Sequence, residues 1–568
     1  MMMRVQAFIG SHHHHHRTHR FTPCCRRRRA LIDYKCFAAR PDKHGCACIQ
    51  QRSLVVPRAK SPKSSPDQAS SVDVDATILA IALPSLGALL IDPILGAVDT
   101  AYVGRMEVRD LGGLAVASAA FSFSYRAFNF LTTVTGPLVA TRLARARIKR
   151  AGSEARARRD AAPTASASLA LALVLGLGAG VIVVSAAPLL ATIGGAPPEA
   201  ETREAALAYL RVRGAAMPFA LVNAACVGIF RGLLDTKTPL TVAVATNAIN
   251  FVLDPVLIFG VPALGVPALG VGGAAVATAA AEASASALFV NILLRRERIL
   301  LTPRRVPKML RRVTRGVTEA SSSSSSPSPY AELAGEIGAL LRGGLSTFVR
   351  TVALQATLLV ASQTAARIDG GSGVTSGAHQ VVLQVWWLTL FALDATAVAA
   401  QSLVADSLGI EGKAGRERAR EVGDRCILWG VAVGGVFLAA NGAVAPTGAI
   451  PLLFTDDADV AAAAAAPLGI VAALQILNGY VFVGDGIMQG AADFDYLARA
   501  MLISAGIGLF AITTLGGGGN FSLGSDDVSG GALVGVWAGI GVLQVSRAFT
   551  FWDWYKRTGP IARQKDVL

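Results

Sequence analysis

Long apolar stretches separated by short polar ones dominate the chain. A helix needs about 20 apolar residues to cross a bilayer, and twelve stretches meet this need without an alternating strand pattern. The pattern predicts an all-α polytopic membrane protein with twelve transmembrane helices, at 77–103, 111–140, 163–193, 205–230, 238–260, 268–294, 333–365, 377–405, 422–445, 460–488, 496–515 and 530–554.

Composition supports this prediction. The chain is 52% hydrophobic and 16% charged, with a mean hydropathy of +0.49, whereas soluble domains carry about 25% charged residues. The net charge of +15 does not indicate a nucleic-acid partner, because much of it lies in the N-terminal tail and in alternate short loops between spans. Loop 141–162 has eight Lys/Arg against two acids. By the positive-inside rule, both termini lie on the cytosolic or stromal face.

The first 72 residues differ from the rest, with fourteen Lys/Arg and three acids. An Arg-rich, Ser-containing, acid-poor tail is typical of a transit peptide, and the alternatives are a disordered basic tail or a misassigned start codon. We expect an integral protein of the plastid (chloroplast) envelope, or otherwise of the plasma membrane. The run His12–His16 is native or a tag, and it is not assigned to a metal site.

A polar Ser/Pro-rich linker at 301–332 divides the twelve spans into a six-helix bundle at 73–300 and another at 333–556, followed by a basic tail at 557–568. Six spans per half give both halves the same orientation, so the halves are expected to be a parallel repeat. RGLLD (231–235) and QGAAD (489–493) occupy corresponding positions and support the duplication.

Two carboxylates, Asp99 and Asp254, lie inside predicted spans 1 and 5. A charge at the bilayer centre costs on the order of 3 kcal/mol or more and usually marks an ion or proton path. Asn250 shares a helix face with Asp254, four residues away. The alternative for either carboxylate is a solvated helix end. The corresponding positions of the C-terminal half hold Ala361 and Ile512, so the pair belongs to the N-terminal half alone.

Other polar residues within the spans are interpreted as lining a substrate cavity or forming structural ion pairs. Arg126 and Arg350 suit an anionic substrate as well as they suit a structural pair, and Asp92, beside Pro93, caps or kinks its helix as readily as it serves a site. His379, at the start of span 8, is expected to be a solvated interfacial residue. The full set of cavity or ion-pair candidates is Asp92, Arg126, Asn129, Glu282, Arg350, Asp394 and Asp485.

Several segments in order, DPILGAVDTAYVGR (92–105), IFRGLLDTKTPL (229–240), NAINFVLDPVLIFG (247–260) and VFVGDGIMQGAADFDY (481–496), resemble the multidrug and toxic compound extrusion (MATE) transporters, best the DinF-like branch with its plant and algal plastid members. The resemblance implies cation-coupled export through two six-helix bundles around a central cleft. It also implies a coupling site formed by Asp99, Asn250, Asp254 and Thr278. A tandem duplication, VPALGVPALG (261–270), lengthens the loop before Thr278 and departs from the family pattern.

The sequence therefore predicts a cation-coupled antiporter that exports small organic compounds or xenobiotics by alternating access, and not an enzyme. No cofactor or metal is expected beyond a coupling ion, either H⁺ or Na⁺. The partners are the lipid bilayer and a small organic substrate, namely an organic cation, a citrate-like anion or a phenolic, and the chain is expected to be monomeric. The alternatives are a lipid-linked sugar flippase, which requires a strongly cationic cavity, a membrane-embedded enzyme, or a channel.

Overall fold

A computed structural model describes the helical part of the chain. The described residues are 71–103, 108–149, 153–193, 198–199, 202–297, 329–369, 372–444, 448–455, 457–517 and 528–562. The predicted transit peptide, the His12–His16 run and most of the predicted linker and C-terminal tail lie outside these residues. The same holds for the side chains of Asp92 and Asp99, although both residues belong to a described helix.

The described residues form fourteen α-helices, one of them a single short turn. Their bounds are α1 Ser71–Val103, α2 Val108–Arg126, α3 Phe130–Lys149, α4 Glu154–Ile193, α5 Arg203–Gly232, α6 Lys237–Phe259, α7 Val271–Ile292, α8 Pro329–Asp369, α9 Val374–Leu408, α10 Lys413–Val444, α11 Ala449–Leu452, α12 Ala458–Gly490, α13 Phe494–Gly517 and α14 Val528–Asp553. We refer to α1–α7 as the N-terminal half and to α8–α14 as the C-terminal half.

Eleven helices in the described part of the chain are long and apolar enough to cross a membrane. They correspond to eleven of the twelve predicted spans, including the short span at 496–515, which is α13. The remaining prediction, a continuous span over 111–140, is wrong in one respect. It is two helices, α2 and α3, separated by a turn at 127–129. The predicted all-helical fold is otherwise confirmed.

Backbone hydrogen bonds close the turn between α2 and α3. The amide of Phe128 donates to the carbonyl of Tyr125 at 2.9 Å, and that of Asn129 donates to the carbonyl of Arg126 at 3.1 Å. Each of these hydrogen bonds joins residues three apart, as in a 3₁₀ turn, and so tightens the helix. Broken helices are tolerated at membrane depth where the backbone lines a cavity, and Arg126 and Asn129 both line the central cavity described below.

The two halves share a turn of unusual geometry. Leu234 and Ala492, 258 residues apart, have φ of 58° and 56°, a left-handed conformation that costs a residue with a side chain about 1 kcal/mol or more. The following aspartates repeat the same bonds, since Asp235 N donates to Phe230 O at 3.0 Å and Asp493 N donates to Met488 O at 3.2 Å. The two turns therefore have equivalent structures, as expected of the RGLLD and QGAAD segments.

Small residues bring the helices of each half close together. A side chain at Gly479 would lie 2.1 Å from the carbonyl oxygen of Gly430, where α12 crosses α10. In the N-terminal half, a side chain at Gly180 would lie 2.7 Å from the carbonyl oxygen of Gly214, where α4 crosses α5. Close backbone approach through small residues is the usual means of packing membrane helices, because lipid leaves little hydrophobic driving force between them.

The halves contact each other at the end where α1 begins and α3 and α9 end. Arg425 Nε donates to Asp75 Oδ1 at 2.6 Å, and Trp429 Nε1 donates to the same oxygen at 2.9 Å. Arg147 pairs with Asp406 at 3.2 Å. Among the described residues, the hydrogen bonds and ion pairs that join the halves lie toward this end, so the cavity between the halves is closed there. The predicted domain boundaries stay a prediction, since residues 66–568 form one compact unit.

The shared turn gives a prediction on stability. Ala492→Gly removes a left-handed alanine and is expected to leave the protein as stable or to stabilise it by up to about 1 kcal/mol. Ala491→Gly is the matched control, because Ala491 has an ordinary φ of −76°. This variant should lower the free energy of unfolding by about 0.5–1 kcal/mol, since glycine adds backbone freedom to the unfolded chain. Thermal unfolding of the purified variants measures the contrast, and an equal loss in both variants would contradict it.

Candidate transport site

The deepest carboxylate described in the N-terminal half belongs to α6. Asp254 and Asn250 have no solvent-exposed surface, and Asn250 Nδ2 donates to Asp254 Oδ2 at 2.7 Å. The predicted shared helix face is therefore confirmed. A buried carboxylate needs compensating partners, since an ionised group in an apolar medium is costly, and the amide supplies one such contact. The role of this pair in transport stays a prediction.

The contribution of Asp99 is not described. Its backbone belongs to α1, which packs on α6, but its side chain, like that of Asp92, lies outside the described residues. The joint site of Asp99 with Asp254 therefore stays a prediction.

Thr278 keeps its place on α7 despite the duplicated segment before it. The ten residues of VPALGVPALG close on themselves, since Val261 N donates to Val266 O at 2.9 Å and Val266 N donates to Val261 O at 3.2 Å. Leu269 N then bonds back to Leu257 O at 3.0 Å, which holds the start of α7 against the end of α6. The extra residues form a compact loop. Thr278 lines the cavity, and its hydroxyl donates to Ala274 O at 2.9 Å.

A cavity of about 720 Å³ lies between the two halves. Its N-terminal wall includes Thr246, Asn247 and Thr278, whereas Asn250 and Asp254 do not line it and lie one to two helical turns from Thr246 and Asn247 along α6. The Asn250–Asp254 pair is therefore separated from the cavity, but it lies on α6, which forms part of the cavity wall.

The cavity carries an excess of positive charge. Eight charged residues of the described part of the chain line it, five arginines and three acids: Arg126, Arg213, Arg231, Arg350, Arg547, Glu282, Asp394 and Asp485. Apart from Asp92, whose side chain is not described, all the sequence-predicted cavity candidates are in its wall. With every group ionised, these eight residues have a net charge of two positive units.

The C-terminal part of the wall is a connected polar network. Arg547 Nη2 donates to Asp485 Oδ2 at 2.6 Å, and Arg350 also pairs with this oxygen. Arg547 Nη1 continues to Gln544 Oε1 at 2.6 Å, and Gln544 bonds Asn478 in turn. Asp485 is thus a shared counter-ion of two guanidinium groups, which makes it a poor candidate for a carboxylate that binds and releases a coupling ion.

The N-terminal wall holds a second pair. Arg213 Nη1 lies 2.8 Å from Glu282 Oε2, and the guanidinium stands 4.2 Å above the ring of Phe121. An arginine over an aromatic face gains a further attraction when it is desolvated. Arg213 and Glu282 therefore neutralise each other in the wall.

Two arginines remain. Arg231 and Asp394 interact electrostatically across the boundary between the halves. Arg126 has no acidic partner among the described residues. Its guanidinium carbon lies 5.8 Å from the ring centre of Trp387 in the C-terminal half, and its side chain is exposed to the cavity.

The prediction for His379 is wrong. Its side chain is buried, with 1% exposure. The Nε2 atom lies 3.1 Å from Ser362 Oγ, and the ring centre is 5.6 Å from that of Trp537. Trp537 of α14 packs against His379, a position that the sequence suggested was interfacial.

Sequence reasoning did not single out Arg213, Arg231, Arg547 or Trp387. The three arginines fall in or at the end of apolar spans (205–230 and 530–554), and an ionisable residue in a span is a functional candidate by default. That signal was available for each of them. Trp387 had no such signal, because an aromatic residue in an apolar span is usually packed against lipid or core.

An all-helical fold with a charged cavity between two similarly built halves defines a polytopic membrane transporter. The MatE family model matches residues 84–256 and 356–512, more than half of the chain. The protein therefore belongs to the MATE family of membrane transporters, which are not enzymes.

Relatives in plants and bacteria agree with this assignment. The chain is 30% identical over 491 residues to protein DETOXIFICATION 44, chloroplastic, of Arabidopsis thaliana, covering 85% of this chain and 82% of that protein. It is 27% identical over 522 residues to protein DETOXIFICATION 43 of the same plant, covering 83% and 89%. The DNA damage-inducible protein F of Escherichia coli strain K12 matches 33% of this chain and 38% of its own length at 26% identity.

Solved structures show the same fold. An outward-facing multidrug resistance MATE family transporter of the MOP superfamily has a TM-score of 0.65 at 19% identity, covering 85% of this chain and 95% of that one. A MOP superfamily transporter from Pyrococcus furiosus has a TM-score of 0.65 at 18% identity, covering 86% and 96%. These likenesses support the architecture alone.

The Asp485 network gives a second prediction. Asp485→Asn leaves Arg350 and Arg547 without their counter-ion and should destabilise the protein by about 3–5 kcal/mol. The double variant Asp485→Asn/Arg547→Gln should lose less stability than Asp485→Asn alone, because one of the two uncompensated charges is removed. The matched control is Asp495→Asn in the same half, since Asp495 is exposed. Thermal unfolding in detergent measures all three, and equal stability of Asp485→Asn and the control would contradict the pairing.

Proposed function

We propose that the protein is a cation-coupled antiporter that exports small organic compounds by alternating access. The observation that carries this proposal is the fully buried Asp254–Asn250 pair beside, but separate from, the central cavity. A coupling ion, H⁺ or Na⁺, binds the carboxylate, and the substrate binds in the cavity. Separate sites on shared helices allow each ligand to bias the same conformational equilibrium.

The contacts between the halves support alternating access. Hydrogen bonds and ion pairs join the described parts of the halves at the end where α1 begins, and the cavity lies between the halves beyond them. For the cavity to open to the opposite face, the Asp75–Arg425 and Arg147–Asp406 pairs have to separate. Ion pairs that are partly exposed are worth about 1 kcal/mol or less each, so their separation is compatible with a reversible conformational change.

The asymmetry between the halves supports coupling in the N-terminal half. By the 258-residue offset of the shared turn, the counterpart of Asp254 is Ile512, which is buried in an apolar cluster with Trp537. Ala361, the predicted counterpart of Asp99, is buried in the same cluster. The C-terminal half therefore has no carboxylate at either position.

Of the alternatives, the lipid-linked sugar flippase requires a strongly cationic cavity. The described residues of the lining have a net charge of two positive units, and all but one of the arginines among them interact with acids. The observed excess is modest, which favours small organic compounds as cargo.

The coupling site gives a direct test. Asp254→Asn, and equally Asp99→Asn, should reduce transport driven by a pH or Na⁺ gradient to background in proteoliposomes. Each variant neutralises a carboxylate whose ion binding distinguishes the ion-bound from the ion-free protein. The double variant should be no worse than either single variant. Separate pH and Na⁺ gradients identify the ion.

Asp459→Asn is the control for this test, because Asp459 is an exposed carboxylate near the start of α12. Folding of each variant is monitored by its elution as a single species and by its melting temperature. Near wild-type coupled transport in both Asp99→Asn and Asp254→Asn would exclude this pair as the coupling site.

We also propose that the protein resides in the plastid envelope and that residues 1–72 direct it there. The Arg-rich, acid-poor composition of this segment supports import, and two of the similar Arabidopsis proteins are named chloroplastic. The segment precedes the first membrane-spanning stretch, and we expect it to be dispensable for transport.

The import proposal predicts that residues 1–72 fused to a fluorescent reporter localise it to plastids. A matched fusion with Arg26, Arg27, Arg28 and Arg29 replaced by Glu should lose import, because it gains acids where the targeting composition lacks them. Microscopy of both fusions in plant or algal cells measures the outcome, and a cytosolic wild-type fusion would contradict the proposal.

A further inference from the structure

Arg126 differs from the other four arginines of the cavity. Arg213 pairs with Glu282, Arg350 and Arg547 share Asp485, and Arg231 interacts with Asp394. Arg126 has no acidic partner among the described residues and remains exposed to the cavity. Its guanidinium has five N–H donors in a planar arrangement that matches a carboxylate.

The surroundings of Arg126 are aromatic. Its guanidinium carbon lies 5.8 Å from the centre of the Trp387 ring, and Tyr125, beside it in sequence, stacks on Phe121 with ring centres 6.3 Å apart and an interplanar angle of 10°. Aromatic residues line the cavity on both sides, namely Phe121, Tyr125, Tyr209, Phe289, Trp386, Trp387 and Phe482. Such faces favour a ligand with a flat ring.

A second polar group lies next to Arg126. Asn129, the last residue of the turn between α2 and α3, is exposed and lines the same cavity. The turn places Arg126 and Asn129 within three residues of each other at the point where the helix is interrupted. Because both side chains line the same cavity, we expect a carboxylate bound there to accept from the guanidinium and from the amide together.

We propose that Arg126, Asn129 and Trp387 form the binding site for an aromatic carboxylate. The guanidinium and the Asn129 amide donate to its carboxylate group, and its ring stacks on the aromatic wall at Trp387. This inference rests on the proposed function insofar as it assigns the cavity to substrate, and it adds the class of substrate and the residues that recognise it.

The site also spans the two halves. Arg126 belongs to α2 and Trp387 to α9, and the cation–π contact between them is made across the cavity. A ligand held by both residues binds only when the two halves bring them together. Its affinity therefore differs between the conformations, which is the condition for a ligand to shift an equilibrium.

The test measures equilibrium binding of radiolabelled para-hydroxybenzoate to the purified full-length protein in detergent, at one pH and without a gradient. Arg126→Gln should weaken binding by about 10- to 100-fold, since hydrogen bonds to charged groups are lost. Arg126→Lys should have an affinity between that of Arg126→Gln and that of the wild-type protein. Trp387→Leu should weaken binding by about 3- to 10-fold through loss of the aromatic contact, and Trp387→Phe by less.

Arg211→Gln is the matched control. Arg211 lies on α5 and is exposed, and it does not line the cavity, so its loss removes the same charge without changing the site. It should bind as tightly as the wild-type protein. Equal affinity of Arg126→Gln, Arg126→Lys and wild type would overturn the proposal, provided that melting temperatures show all of them folded.

Competitors define the ligand class. Tetraphenylphosphonium, an aromatic cation, and citrate, a non-aromatic carboxylate, should displace para-hydroxybenzoate only weakly. Tighter binding of the cation, or of citrate in a manner that depends on Arg126 but not on Trp387, would overturn the assignment to aromatic carboxylates. Displacement by inorganic pyrophosphate at lower concentration than by unlabelled para-hydroxybenzoate would overturn it in favour of a phosphate-bearing cargo.

Asp254→Asn separates this inference from the proposed function. If coupling resides at Asp254, this variant loses gradient-driven transport but keeps Arg126-dependent binding, because Asp254 does not line the cavity. Binding that depends on Arg126 together with full coupled transport in Asp254→Asn would leave the substrate site supported and the coupling site rejected.

Discussion

The cost of placing charge inside an apolar protein determines how this transporter is built. An ionised group without partners in such surroundings costs several kcal/mol, and eight charged side chains of the described residues line the cavity. Arg213 pairs with Glu282, Arg350 and Arg547 share Asp485, and Arg231 interacts electrostatically with Asp394. Arg126, which has no acidic partner among the described residues, is exposed to the cavity, where water or a ligand can solvate it.

The same constraint explains where the backbone is irregular. The interruption between α2 and α3 occurs at the wall of the cavity, because free backbone groups that face lipid would have no partner. In the described part of the chain, the left-handed turns at Leu234 and Ala492 lie at helix ends, and their following amides bond back to the preceding helix. The chain thus places its irregular segments where their polar groups are satisfied.

The two halves share their framework and differ in their chemistry. The turn after α5 and the turn after α12 repeat the same dihedral angles and hydrogen bonds, and close glycine contacts join equivalent helices in each half. At the counterparts of Asp254 and Asp99, the C-terminal half instead packs Ile512 and Ala361 into an apolar core with Trp537. The two halves thus share turns and close helix contacts, while ion binding and substrate binding are proposed to depend on different residues of the N-terminal half and of the interface.

The sequence by itself determined the helical class, eleven of the spans and the shared face of Asn250 and Asp254, because hydropathy and helical periodicity are local properties of the chain. The sequence also predicted that RGLLD and QGAAD occupy corresponding positions, since the same local turn requires similar residues. Only the tertiary structure decided which charges neutralise one another. Arg350 and Asp485 are 135 residues apart in sequence, and Arg126 approaches Trp387 from the other half. The burial of His379 likewise depends on α14, which the sequence around His379 does not contain. Such partners are chosen by how helices distant in sequence pack together, and that packing is not encoded in any single stretch.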